Sequence, residues 1–271
     1  MGTHRLAGFT IIETMLFLAI SGLLIVALIA GTGASLNIQR YRDATESFKS
    51  VLQQQYADII SVQNDRDNTW SCGGTAIPDS DAVTPQDRGQ SDCMLIGKYV
   101  RVDSNEISIY RIIGYGSSSA GGADDIAALK SDYLLNVSGV DEPEVDESEL
   151  EWGTKIAWPA ITETGAVHPA AGTPRTLGVL VLRSPSSGQI YTFTSNDIPA
   201  KDAIGSLTFA NMIVAGNAVP GQGAQLICID SDGLYDGGDR AIYLSGYASG
   251  TSAVELRTND YMQEQGILSR C

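Results

Sequence analysis

From Thr14 to Gln39 the chain reads TMLFLAISGLLIVALIAGTGASLNIQ, and no Asp, Glu, Lys or Arg interrupts the run. At about 1.5 Å of rise per residue, a helix of this length exceeds the roughly 30 Å hydrocarbon core of a bilayer. The run therefore predicts one membrane span, with Glu13 before it and Arg40 after it. Beyond Gln39 the pattern changes to Tyr41, Thr45, Phe48, Leu52, Tyr56, Ile59 and Val62, spaced at steps of three and four. That spacing lines one face of a helix, while Gln53, Gln54, Asp58 and Gln63 help to build the polar side. A single helix is expected from about Phe9 to about Asn64, ending at the polar cluster Asn64-Asp65-Arg66-Asp67-Asn68.

After the helix the period shortens. Apolar or alternating runs at Met94–Val102, Glu106–Tyr115, Tyr133–Val137, Lys155–Trp158, Leu177–Arg183, Gln189–Thr194, Ala224–Ile229 and Ala241–Leu244 predict strands. Ser184-Pro185-Ser186-Ser187-Gly188 carries turn chemistry between two of them and predicts a hairpin. Short helices are expected at Ala123–Lys130 and after Ser195. The fold class is α+β, with a long N-terminal helix packed on a mainly antiparallel sheet.

Composition narrows the functional classes. Of 271 residues, 43% are hydrophobic and 18% charged, an ordinary globular balance. Seventeen Lys and Arg against thirty-two Asp and Glu leave a net charge of −15, so nucleic acid is a poor partner. No nucleophile elbow, zinc-protease helix, phosphate loop or dinucleotide fingerprint occurs, and His168 is the one histidine beyond the first few residues. The alternative from another class is a membrane-anchored extracellular hydrolase using a carboxylate pair, whose spacing a sequence does not show. A cleaved secretory signal fits less well, because its apolar region spans about 7–15 residues.

An acid at the head of a span asks for a reason, since an intramembrane carboxylate is costly. The opening MGTHRLAG followed by FTIIETMLFLAISGLL resembles the signal of type IV prepilins and pseudopilins. The resemblance aligns Gly8 with the residue before the peptidase cut and Phe9 with the new, normally N-methylated terminus. Glu13 falls on the family's acid, which pairs with a neighbour's terminal amine during assembly. It implies a leader (1–8), a hydrophobic polymerisation helix (9–39), its amphipathic continuation (40–64) and an extracytoplasmic head (65–271). The implied partners are other pilin subunits, a prepilin peptidase and N-methylase, a platform protein with its assembly ATPase, and membrane lipid before assembly. The implied activity is structural rather than enzymatic, in a surface filament for adhesion, motility, DNA uptake or secretion. A pseudopilin of a secretion or competence system is the alternative within the family. Gly31 and Gly33 stand where many pilins carry a helix-breaking Pro.

All four cysteines, Cys72, Cys93, Cys228 and Cys271, follow the span, where oxidising conditions permit disulfides. Three pairings are open. Cys72–Cys93 is favoured because both lie in one polar, loop-rich section, which leaves Cys228–Cys271, a link similar to the C-terminal loop of many pilins. Asp141–Glu151 holds seven carboxylates and is expected to be a solvated loop, and Thr162–Pro174 a surface loop. Asp230, Asp232, Asp236 and Asp239 lie on a glycine-rich turn and form a candidate calcium site, as in some pseudopilins and pilin adhesins. Its bland counterpart is an acidic turn.

Overall fold

The computed structural model describes residues 10–61, 71–72, 78–79, 93–116, 124–139, 144–157, 175–195, 197–204, 206–213, 225–230, 240–245, 249–258, 261 and 264. Helix α1 (Ile11–Ser61) is unbroken through Gly31 and Gly33. Its start is set by a reciprocal cap. The Thr10 amide donates to Glu13 Oε2 at 2.9 Å, and the Glu13 amide donates to Thr10 Oγ1 at 3.3 Å.

Two short strands follow, β1 (Ser71–Cys72) and β2 (Pro78–Asp79), paired antiparallel. The central hairpin is β3 (Cys93–Asp103) and β4 (Glu106–Gly116). Next come α2 (Asp125–Ser131), β5 (Tyr133–Val137), β6 (Val145–Glu149) and β7 (Lys155–Ala157). A second hairpin, β8 (Thr176–Arg183) and β9 (Ile190–Ser195), turns through Ser184–Gly188 as expected. Helix α3 (Ser206–Met212), β10 (Gln225–Asp230), β11 (Arg240–Leu244) and β12 (Val254–Thr258) complete the described elements.

The larger sheet has the order β5-β4-β3-β8-β9, and the smaller β12-β11-β10-β7; every pairing is antiparallel. The α+β class is therefore observed directly. The larger sheet is covered on both faces, which explains why its strands read as nearly continuous apolar runs. On β8, Leu177, Val179 and Val181 face α1, and Leu180 and Leu182 join the opposite core with Leu129 of α2 and Phe209 of α3. The helix also covers the smaller sheet, where Ile227, Ile242 and Val254 meet the same core. Tyr41, Thr45, Phe48, Leu52, Tyr56 and Ile59 are all buried, so the stripe read from the sequence is the packing face. Val62 lies outside the described residues.

A bulge between Leu95 and Gly97 lets β3 keep pairing with both neighbours. A Cβ at Gly97 would sit 2.3 Å from the Val181 carbonyl oxygen, so the close approach of β8 requires glycine there.

The acidic stretch corrects an expectation. Residues 145–149 form strand β6 rather than a solvated loop, paired with Glu106–Tyr110 of β4. Strands β5 and β6 run one after the other along the same edge of β4. The Glu144 amide donates to the Ser138 carbonyl at 2.8 Å. All five β6 side chains are exposed, and Lys201 bridges Glu106 and Glu147. Backbone pairing at the open edge of β4, with a cation between the carboxylates, outweighs the repulsion on which the loop reading rested. Strand β12 was not among the expected strands. The predicted strand at Lys155 ends at Ala157, with Trp158 outside the described residues along with 162–174.

Candidate assembly helix and the base of the head

The two halves of α1 live in different surroundings. Between Ile11 and Leu36, fourteen large apolar side chains are exposed, from 77% at Ile11 to 50% at Leu36. Leaving that surface in water costs on the order of 20–40 kcal/mol at about 1.5–3 kcal/mol per side chain, so it favours an apolar covering. Among the described residues, this is the one helix long and apolar enough to cross a membrane.

The polar atoms of this half are compatible with an apolar medium. Thr14 Oγ1 donates to the Ile11 carbonyl at 2.9 Å, Ser21 Oγ to Leu18 at 3.1 Å and Thr32 Oγ1 to Leu28 at 2.9 Å. These three hydroxyls are satisfied within the helix, as a segment in hydrocarbon requires. Glu13 is exposed in the first turn, with Oε2 accepting from both the amide and the hydroxyl of Thr10. Sequence reading singled out Glu13 but missed its cap, although Thr10-Ile11-Ile12-Glu13 spells the capping signature. Gly8 and Phe9 lie outside the described residues.

The head grips the other half. Near the end of the apolar run Asn37 and Ile38 are partly buried, and Tyr41 is the first buried side chain of α1. Tyr41 Oη donates to the Ile229 carbonyl at 3.0 Å, and Gln53 Nε2 donates to the carbonyls of Thr251 and Val254, each at 3.1 Å. Lys98 on β3 pairs with Asp58. Near the lower end, Ser47 Oγ donates to Glu151 Oε1 at 3.0 Å, and the Arg40 guanidinium stacks on the Trp152 ring at 4.9 Å.

The remaining expected site residues divide between described and undescribed segments. Cys72 and Cys228 are both disulfide-bonded. Cys72 packs with Leu95, Ile113 and Tyr115, and Cys228 packs with Ala157 and Ala241. Cys93 lies opposite Tyr115 in the β3–β4 ladder, while Cys271 is outside the described residues. Asp230 is buried and accepts from Arg175 Nη1 at 2.7 Å. Its candidate calcium partners Asp232, Asp236 and Asp239, like His168, are outside the described residues. Among the described residues, no cluster of three metal-ligating side chains occurs.

A cleft of about 380 Å³ lies between the upper part of α1 and β3, with Asp58, Lys98, Arg111, Asp146 and Arg183 on its walls. Lys98 is paired with Asp58 and Arg111 with Glu144 at 3.3 Å, so much of its charge is neutralised internally. No protein-family model, curated protein or solved structure matches this chain.

Proposed function

We propose that the protein is a type IV pilin-like subunit, anchored by the apolar half of α1 before assembly and held in a filament by that same surface afterwards. The observation that carries this reading is the division of one continuous helix. Its first half is bare, apolar and headed by a lone carboxylate, and its second half is buried on two antiparallel sheets.

In this reading the peptidase cuts after Gly8 and exposes the amine of Phe9. Glu13 then has two tasks. Its Oε2 caps its own helix through Thr10, and Oε1 receives the terminal amine of a neighbouring subunit. Packing among helices lowers the local dielectric and strengthens that attraction. The pair sets the axial register of neighbouring subunits. The charge of the exposed edge strand β6 opposes edge-to-edge association of heads, leaving the helix as the main polymerising element. The cysteines pair as Cys72–Cys93 and Cys228–Cys271, with the packing of Cys72 on Tyr115, opposite Cys93, supporting the first link.

The test is N-terminal mass analysis of the protein taken from cells. A chain beginning at N-methylated Phe9 is expected. Mature, functional material that retains Met1, or begins after Ala34, removes the proposal.

A further inference from the structure

The turn carrying Trp152 is built to hold an aromatic ring outward. Leu150 is buried in the main core, Thr154 is buried with its Oγ1 donating to the Glu151 carbonyl at 2.9 Å, and Trp152 between them is 50% exposed. Trp152 adopts φ 59° and ψ 26°, a left-handed conformation that a bulky residue rarely occupies. Anchors on either side hold the backbone there, and a sparsely populated conformation at an exposed aromatic points to a use for the ring.

The height of that ring follows from the helix. About 20 residues at 1.5 Å per residue cross the roughly 30 Å hydrocarbon core, which places its outer boundary near Gly33 when its inner boundary lies at Glu13. Beyond Leu36 partial burial resumes at Asn37, about 6 Å further along, and Tyr41 is the first buried side chain. The headgroup layer is about 5–7 Å deep on each side, so the base of the head meets it. Helical side chains lean toward the N-terminus, here toward the membrane, which lowers the Arg40 guanidinium and the stacked Trp152 ring. Arg42, two residues on and on another side of the helix, is also exposed, and Tyr41 Oη contacts the Arg240 carbonyl at 3.4 Å, bringing the start of β11 to the same level. Asp43 and Glu151 are the exposed carboxylates near this group, and Glu151 accepts from Ser47.

We infer that Trp152, stacked on Arg40, seats the base of the head in the phospholipid headgroup layer before assembly. The indole lies at the boundary where tryptophan is enriched in membrane proteins, and Arg40 and Arg42 face lipid phosphates. The contact fixes how far the helix emerges and keeps the head upright on the bilayer. It rests on the reading that the apolar half spans the membrane.

The test uses the full chain in vesicles of phosphatidylethanolamine and phosphatidylglycerol. Trp70→Phe with Trp158→Phe leaves Trp152 as the sole indole among the three tryptophans. Quenching by a headgroup-labelled lipid is expected to exceed that by a mid-chain label by roughly two- to threefold, and Arg40→Gln should reduce it. If the double variant fails to fold, the difference in quenching between the natural chain and Trp152→Phe supplies the same reading. A separate chain carrying Leu24→Trp, with its three native tryptophans replaced by Phe, reports the span, and mid-chain quenching is expected. Quenching of the indole introduced by Leu24→Trp, with none at Trp152, overturns the inference and leaves the span intact. Loss of both signals removes the span reading and the inference with it. Inorganic phosphate should leave Trp152 emission unchanged, and a shift matching that caused by vesicles would overturn the bilayer as the occupant.

Discussion

Tyr56 on the helix and Thr192 on β9 meet inside the core with their hydroxyl oxygens 2.8 Å apart. Burial makes this bond matter, because a polar pair inside an apolar core contributes only when it is made. Tyr56→Phe removes the bond while keeping the ring, and should lower stability by about 0.5–1.5 kcal/mol in a denaturant titration of the oxidised head. Little change in the midpoint would show that the bond adds nothing to the packing.

Alkaline pH should loosen the same region. Burial pushes the phenol pKa of Tyr56 up, and burial likewise raises that of Tyr99. Both groups are protonated when folded and ionise more readily when unfolded. Their contribution is therefore complete below about pH 10 and is lost as pH rises toward their raised folded values. Thermal melts should shift downward above about pH 10, less so in Tyr56→Phe, with phenolate absorbance lagging behind that of exposed tyrosines.

Gly97 tests the bulge. Any side chain there drives into the Val181 carbonyl, so Gly97→Ala should destabilise by about 1–3 kcal/mol or displace β8 from β3. Hydrogen exchange of the β3–β8 amides distinguishes local loosening from a uniform loss.

The observed cap made by Glu13 can be separated from its proposed role in assembly. Glu13→Gln keeps a side chain that can serve a capping box but discards the charge. Filament incorporation should fall sharply while the circular dichroism of detergent-solubilised protein stays unchanged. Thr10→Ala, by contrast, should fray the first turn at a cost of about 1 kcal/mol and affect incorporation less. Unchanged incorporation in Glu13→Gln would assign Glu13 to the cap alone.

Removing residues 1–36 leaves the buried face of α1 intact, since its first buried side chain is Tyr41. This fragment should fold, remain in solution without detergent and sediment as a monomer, because the bare apolar surface is gone. Aggregation with native-like secondary structure would indicate a second association surface on the head.

The rod and its two halves were legible from the residues alone. Absence of charge from Thr14 to Gln39 and the stripe from Tyr41 to Ile59 are local patterns, and burial follows them closely. Strands such as β5 were also readable, because alternation and flanking turns are short-range signals. β6 was not, since all its side chains face solvent and its carboxylates carry no pattern of burial. Its place depends on an unfilled edge of β4, which only the assembled sheet supplies.

The same divide separates the two ends of the proposed function. An uninterrupted apolar run with Glu13 at its head is written in consecutive residues, and its capacity to cross a bilayer follows from length and charge alone. Tertiary structure decided that both sheets wrap the upper half of the rod, and that Trp152 comes to rest on Arg40. These partners are far apart in the chain and share no period, so only closure of the core around Leu150 brings them together.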